Sequence, residues 1–280
     1  MTLNNKQKIV ILTGSEYRHI FFRKYIGLSK KIKIVKTYCE GLEKTLAKTV
    51  FDDHKNNELR LKHLSSREQS EKDFFKLFVD NTPDKSNAIH IKKGDINLDI
   101  HIEEIIKINP DIIIAYSCSI IKGRLLNNFK GRFLNVHLGL SPYYRGSGTN
   151  YWPLVNNEPE YVGVTFMHID SGVDTGDIIH QIHADYYYGD SPSQIGNRLI
   201  CKMTKVFKCI VENFNNIQDF ERHRLYKVDA KIYKKIDYTE ESVSLLYKNF
   251  ENGMISAHLK NKEIKKVKII KNRLIVSLCE

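Results

Sequence analysis

No run of apolar residues in this chain approaches the roughly 18 that cross a bilayer, so no membrane-spanning helix is expected. Missing too is a signal-peptide apolar region: the polar opening MTLNNKQK runs straight into a strand-like segment, and the chain is read as soluble and unprocessed. The five cysteines, Cys39, Cys118, Cys201, Cys209 and Cys279, form an odd set without a Cys-x-x-Cys pair. That pattern suggests neither a disulfide framework nor a zinc site, and a reducing, cytoplasmic setting fits it best. There is no internal repeat and no low-complexity tract.

What is present is enough for a core. With 280 residues and 41% hydrophobic content, the chain can build one substantial α/β domain and a smaller appendage. A net charge of +11 points to acidic partners: a nucleotide diphosphate, a polyglutamated folate or nucleic acid. From Glu221 to Glu280 there are 14 Lys and Arg against 8 Asp and Glu, a surplus that favours a separate C-terminal module.

Lys8 to Thr13 (KIVILT) is a β-branched apolar run ending at Gly14, followed by helix to about Tyr25. Lys31 to Tyr38 reads as a second strand, Leu42 to Leu64 as helix and loop, and Ser66 to Val79 as a helix with Ser66 as N-cap. A helix near Ile100 to Ile108, a buried strand Asp111 to Tyr116 and a strand Arg132 to Val136 follow. This alternation predicts a mainly parallel, doubly wound α/β sheet. Beyond it come a short helix near Thr149 to Val155 and strands Val162 to Ile169 and Asp177 to Ala184, which can pair. Ser191 and Pro192 look like the N-cap and first residue of a helix reaching Phe214. Boundaries of 1–215 for the main domain and 216–280 for a small α+β module follow. Lys266 to Ile270 and Leu274 to Leu278 read as a terminal hairpin.

Two stretches carry chemistry. Asn135 and His137, at i and i+2 on a strand end, share one face, and the carboxyl ends of parallel strands are where ligands bind. The run after them, Leu138 to Asn150 (LGLSPYYRGSGTN), can wrap closely around a ligand. Asp170 to Asp177 (DSGVDTGD) packs two glycines and three carboxylates into eight residues between apolar strands. On its own it could be a turn whose Asp side chains satisfy backbone donors. His168, His180 and His183 read as sheet residues and form no metal set.

Together, Asn135-x-His137, Ser141-Pro142-x-Tyr144-Arg145-Gly146, Gly163-Val164-Thr165 and Asp170-x-Gly172-x-Asp174-Thr175-Gly176-Asp177 resemble the 10-formyltetrahydrofolate-dependent formyltransferases over roughly residues 8 to 215. The resemblance implies a Rossmann-like formyltransferase fold, 10-formyltetrahydrofolate as formyl donor, no metal, and Asn135, His137 and Asp174 as the catalytic group. Amine attack on a formyl carbon builds an oxyanion and a protonated nitrogen, so it needs a fixed donor and a proton acceptor. Asn135 can supply the first; His137 can supply the second, with Asp174 orienting it or relaying the proton. Which of the two is the first base stays open. The resemblance also implies a pterin slot between Ser117 to Ile121, with Ser119 and Ile120, and the turn holding Asp170 and Gly172.

For the acceptor, Gly14 and Arg18 near the ligand-binding edge suit a diphosphate, alongside Tyr144 and Arg145 from the Gly-rich loop. Lys231 to Ser256 is similar to the tails of sugar N-formyltransferases, which make formamido sugars for bacterial surface polysaccharides such as O-antigen. A nucleotide-linked amino sugar is therefore placed first. Methionyl-tRNA comes second, because the segment after about 215 is short for the domain that holds tRNA. Glycinamide ribonucleotide comes third, since the opening lacks a glycine- and serine-rich phosphate loop. Expected partners are thus a nucleotide-linked amino sugar and folate, not a membrane or nucleic acid, and a homodimer is allowed. A non-catalytic folate or nucleotide-sugar binding module is the remaining alternative; loss of Asn135, His137 or Asp174 would mark it, and all three are present.

Overall fold

The computed structural model describes residues 6–43, 48, 50, 58–172, 174–217, 229–261 and 267–279. Five strands, β1 (Gln7–Thr13), β2 (Ile32–Glu40), β3 (Ala88–Ile91), β4 (Ile112–Tyr116) and β5 (Phe133–His137), pair in parallel in the order β3-β2-β1-β4-β5. Two more, β7 (Gly163–His168) and β8 (Ile178–His183), add to the β5 edge in antiparallel fashion. The expected mainly parallel, doubly wound sheet is observed. Ile112 to Tyr116 is buried throughout, as a strand covered on both faces must be.

Alternating residues feed two cores. Ile9, Ile11, Ile112, Ile114, Leu134 and Val136 face one side, while Val10, Leu12, Ile113, Ala115 and Phe133 face the other. The first and larger core is covered by α1 (Tyr17–Ile26), α2 (Glu58–Asn81) and α6 (Pro192–Glu212). The second lies under α3 (Asp99–Ile108) and α4 (Gly123–Asn128). In α6, Ser191 is the N-cap and Pro192 the first residue, as expected from sequence, and Ser191 also accepts from the Gln194 amide in a capping box. Its buried Ile195, Leu199, Met203, Val206 and Ile210 keep the 3- to 4-residue spacing of a core-facing helix.

Four expectations are corrected. Ser66 is not an N-cap: helix α2 begins at Glu58 and Ser66 lies on its exposed side, because Leu64, Glu71, Phe75 and Val79 extend one buried face through it. The stretch read as a plain loop after β5 contains β6 (Tyr144–Gly146), which pairs in parallel with β9 (Lys231–Tyr233), and the helix after it, α5, is only Trp152–Val155. The terminal hairpin is absent: α10 (Arg273–Cys279) is a helix packed on α6, with Ile275 and Cys279 buried at i and i+4. Ile270 meets the β8 edge through Gln181, and the residues after it turn into helix, so β-propensity in this apolar stretch yields to tertiary packing. Lys266, the first residue of that expected hairpin, falls outside the described residues, as does 218–228. Finally, Cys209 and Cys279 form a disulfide with Cα atoms 5.8 Å apart, a proximity created by the α6–α10 packing that spacing alone does not reveal. Two further helices, α8 (Glu240–Glu251) and α9 (Met254–Lys260), continue the C-terminal part after the short α7 (Phe214–Ile217), and α8 packs on α2 and α5.

Buried neutral histidines make the fold acid-sensitive. His63 on α2 meets the Tyr247 hydroxyl at 3.0 Å, and burial, aided by the Arg67 charge, lowers its imidazole to about 4. An unfolded histidine titrates near its ordinary 6.5 and takes up a proton first, so stability is full above that value and is lost as pH falls toward 4. In urea unfolding, His63→Gln should lose about 2 kcal/mol less than the unaltered protein between pH 7 and pH 5. Equal losses would contradict this.

Candidate active site

Strand β5 delivers Asn135 and His137 to one face at its carboxyl end, with Asn135 opposite Ala115 on β4 and Met167 on β7, and His137 opposite Thr165. The connection from β7 to β8 folds back over that end and brings in Asp174, whose backbone is left-handed at φ 53°, a conformation Asp tolerates better than most residues. The His137 Nδ1 lies 3.2 Å from Asp174 Oδ1, with side-chain exposures of 9% and 13%. The imidazole Nε2 faces the Tyr144 carbonyl at 3.4 Å. A proton gained by His137 thus has an acceptor on each side of the ring.

Beside this group lies an open cleft of about 560 Å³, counting solvent at its mouth. One wall is Cys118 to Ile121, the loop after β4; the other is Asp170, Gly172 and Asp174 to Gly176. Asn135 and Met167 are among the residues between them. Asn135, Asp174, Ser119, Ile120, Asp170 and Gly172 all border this cleft, and His137 stands next to it, joined through Asp174. Asp170 shapes the turn: its carboxylate accepts from the Gly172 amide at 3.0 Å and the Thr175 hydroxyl at 2.7 Å. Burial, with the nearby Glu40, pushes the Cys118 thiol up to about 12, so it is no nucleophile.

Two glycines permit this geometry. A Cβ on Gly139 would meet His137 Nε2 at 2.6 Å, and one on Gly176 would sit 1.8 Å from the His168 carbonyl oxygen. Gly176→Ala must displace the β7–β8 connection and Asp174 with it. A lower melting temperature and a turnover loss of about tenfold or more are expected. Calorimetry and a rate measurement giving values equal to those of the unaltered protein would contradict the close approach.

The expected acceptor residues fare differently. Arg18 is buried and committed to its own chain: it bonds Glu71 at 2.6 Å and also Glu16. Burial opposes its charge, but Glu71 and Glu16 outweigh that and raise its pKa, so the guanidinium is fixed inside rather than offered to a diphosphate. Gly14 sits against the His19 ring. Tyr144 is 1% exposed, its hydroxyl bonding Glu158 and receiving a bond from Asn156, its ring stacked parallel to Tyr233, which stacks in turn on Trp152. It is a core residue, and Arg145 beside it is half-buried. The place of Arg18 near the ligand-binding edge and of Tyr144 in the Gly-rich loop points toward a ligand, but their burial against Glu71 and Glu158 is set by residues distant in sequence.

His168 ends β7, in line with its reading as a sheet residue, and also borders the cleft with Met167 and Ile169. Ile120, expected at the pterin slot, is 59% exposed on the cleft wall. Behind the site the Thr165 hydroxyl donates to the Gly139 carbonyl at 2.7 Å and accepts from the Ser141 amide at 3.0 Å and the Gln181 side chain at 2.9 Å. Ser141 and Thr165 stand in the motif stretches quoted above, whereas the advance signal for Gln181 was alternation along β8.

The doubly wound α/β sheet thus carries a side-chain amide and an imidazole–carboxylate pair at its carboxyl edge, beside an open cleft, where folds of this class place their ligands. Residues 56–209, just over half of the chain, match the formyl transferase family, and the chain belongs to it. Methionyl-tRNA formyltransferase of Finegoldia magna is 41% identical over 75 residues, 26% of this chain and 24% of that protein. The Alkaliphilus oremlandii protein of that name is 28% identical over 160 residues, 54% and 50% of the two chains. The alignment with each of these relatives covers half of its length or less. In three dimensions the fold is similar to a sugar N-formyltransferase from Shewanella sp FDAARGOS_354, with a TM-score of 0.55 at 15% identity over 83% of this chain and 78% of that one. It is similar also to a 4-N formyltransferase from Francisella tularensis, with 0.55 at 18% over 86% of both. Glycinamide ribonucleotide transformylase 1 from Symbiobacterium toebii gives 0.53 at 15%, over 79% and 95%.

Proposed function

We propose that this protein is an N-formyltransferase that moves a formyl group from 10-formyltetrahydrofolate to the amine of a nucleotide-linked amino sugar. The observation that carries the transfer chemistry is the placement of Asn135 and the His137–Asp174 pair at the end of β5, beside the cleft. That cleft suits a flat heterocycle with polar edges: apolar Met167, Ile121 and Ile169 line it beside polar Ser119, Asn135, Asp170 and Thr175. Ser119, Ile120, Asp170 and Gly172 would hold the donor there. When bound, 10-formyltetrahydrofolate supplies the formyl carbon. Asn135 would donate to the oxygen on which negative charge develops, and the His137–Asp174 pair would take the proton of the attacking amine and return it to the departing donor nitrogen as the bond from that nitrogen to the formyl carbon breaks. Asp174, 3.2 Å from the ring, would keep the imidazole oriented.

The amino-sugar reading is supported by the way the C-terminal part packs. Strand β9 is stitched to β6, α8 lies on α2 and α5, and Lys231 is held by Glu158 at 2.7 Å. A cation already paired with a carboxylate releases less on meeting a phosphate backbone than a free one. The second reading, methionyl-tRNA as acceptor, is favoured by the names of the sequence relatives. Incubation with 10-formyltetrahydrofolate and UDP-, GDP- and dTDP-linked amino sugars, or with methionyl-tRNA, separates them by mass spectrometry. A formyl group gained by an amino sugar is expected; a formylated tRNA with no sugar product would reject the first reading in favour of the second.

A further inference from the structure

Glu40 ends β2 and is 1% exposed, a carboxylate taken out of water in a strand whose last four residues are buried. A buried carboxylate is tolerable only when its oxygens are paired, and here both are. Oε2 accepts from the Ser119 main-chain amide at 2.6 Å and from the Lys93 ammonium at 2.8 Å, while Oε1 accepts from the Gly94 amide at 2.9 Å. Its own carbonyl accepts from the Ser15 hydroxyl at 2.7 Å. One residue at the carboxyl edge of the sheet thus ties together the loops that follow β1, β3 and β4.

The loop after β4 is the one that walls the cleft, and it needs holding. It leaves the strand through Ser117, a left-handed residue at φ 62° that carries a local backbone cost. Glu40 grips its first half at the Ser119 amide. Asn97 grips the second half, its side chain donating to the Ile120 carbonyl at 3.0 Å and accepting from the Lys122 amide at 3.1 Å. Bonds from a main-chain amide to an ionised carboxylate are shorter and stronger than neutral ones, so the Glu40 clamp dominates.

We propose that Glu40 is a positioning residue for the formyl-donor wall: its carboxylate fixes the Ser119 amide, and with Asn97 sets the shape of Ser119 to Lys122 against which the donor lies. The inference rests on the placement of the donor in this cleft. Glu40 touches neither Asn135 nor the His137–Asp174 pair in any bond described above, so its loss should act on donor binding rather than on the chemical step.

Glu40→Gln tests this at constant size, because one amide oxygen cannot serve both Oε positions. In the unliganded protein, hydrogen exchange of the Ser119 amide should rise at least about tenfold. The Kd for tetrahydrofolate, used as the probe, should rise at least about tenfold, with kcat at saturating donor within about threefold. Asn97→Ala, at a half-buried position, should weaken tetrahydrofolate at least about threefold with kcat equally spared, and it carries the test should Glu40→Gln not fold. Unchanged exchange and Kd in Glu40→Gln, or a fall in kcat with donor Kd unchanged, overturns the proposal while leaving the donor site in place. Failure of the unaltered protein to bind tetrahydrofolate removes the reading beneath it, and the proposal with it.

Discussion

Turnover of the His137→Asn variant should fall by about 10² or more, while the Kd for tetrahydrofolate stays within about twofold. Asparagine matches the polarity of the imidazole but cannot accept a proton near neutral pH. The imidazole sits 9% exposed between Asp174 at 3.2 Å and the Tyr144 carbonyl at 3.4 Å, so its removal leaves Asp174 without its partner. The cleft walls, Cys118 to Ile121 and Asp170, Gly172 and Asp174 to Gly176, do not include His137, which is why binding should survive. Stopped-flow or coupled measurement of tetrahydrofolate release, together with a binding titration, checks both halves. Near-normal turnover would remove His137 from the chemistry.

Asn135→Ala should cost about 10² to 10³ in kcat, the range for loss of one fixed oxyanion donor. Asn135 is the side chain of β5 that borders the cleft, and its backbone is pinned between Ala115 on β4 and Met167 on β7. That two-sided pairing keeps the strand in place when the amide is removed, so the loss should appear in kcat rather than in stability. Melting temperatures within about 3 °C of each other would establish that the fold is intact. A drop in melting temperature with little change in kcat would make Asn135 a structural residue.

Much of the sheet was legible because short continuous apolar runs such as Ile112 to Tyr116, bounded by polar residues, carry their own signal. The same holds for α6, where Ser191 and Pro192 announce the helix start. The convergence of Asn135, His137 and Asp174 was legible through motif order, although 37 positions separate Asp174 from His137 and only the β7–β8 return brings them together. What failed depended on partners remote in sequence. Arg18 is absorbed by Glu71, the Tyr144 ring lies parallel to that of Tyr233, and Cys279 reaches Cys209 across a separation of 70. Glu40 went unnoticed because a carboxylate at a strand end looks like a solvated terminus until the loops after β3 and β4 close over it.

Asn135, His137 and Asp174 together should carry one formyl unit from donor to acceptor amine in each turnover. The direct measurement follows tetrahydrofolate and N-formyl product together, in the unaltered protein and in the Asn135→Ala/His137→Asn double variant, with the amino-sugar acceptor that proves active. One tetrahydrofolate per formamide formed is predicted for the unaltered protein, and a rate at least about 10² lower for the double variant. Comparable rates from both proteins, or donor consumed by the unaltered protein without formamide appearing, would contradict it.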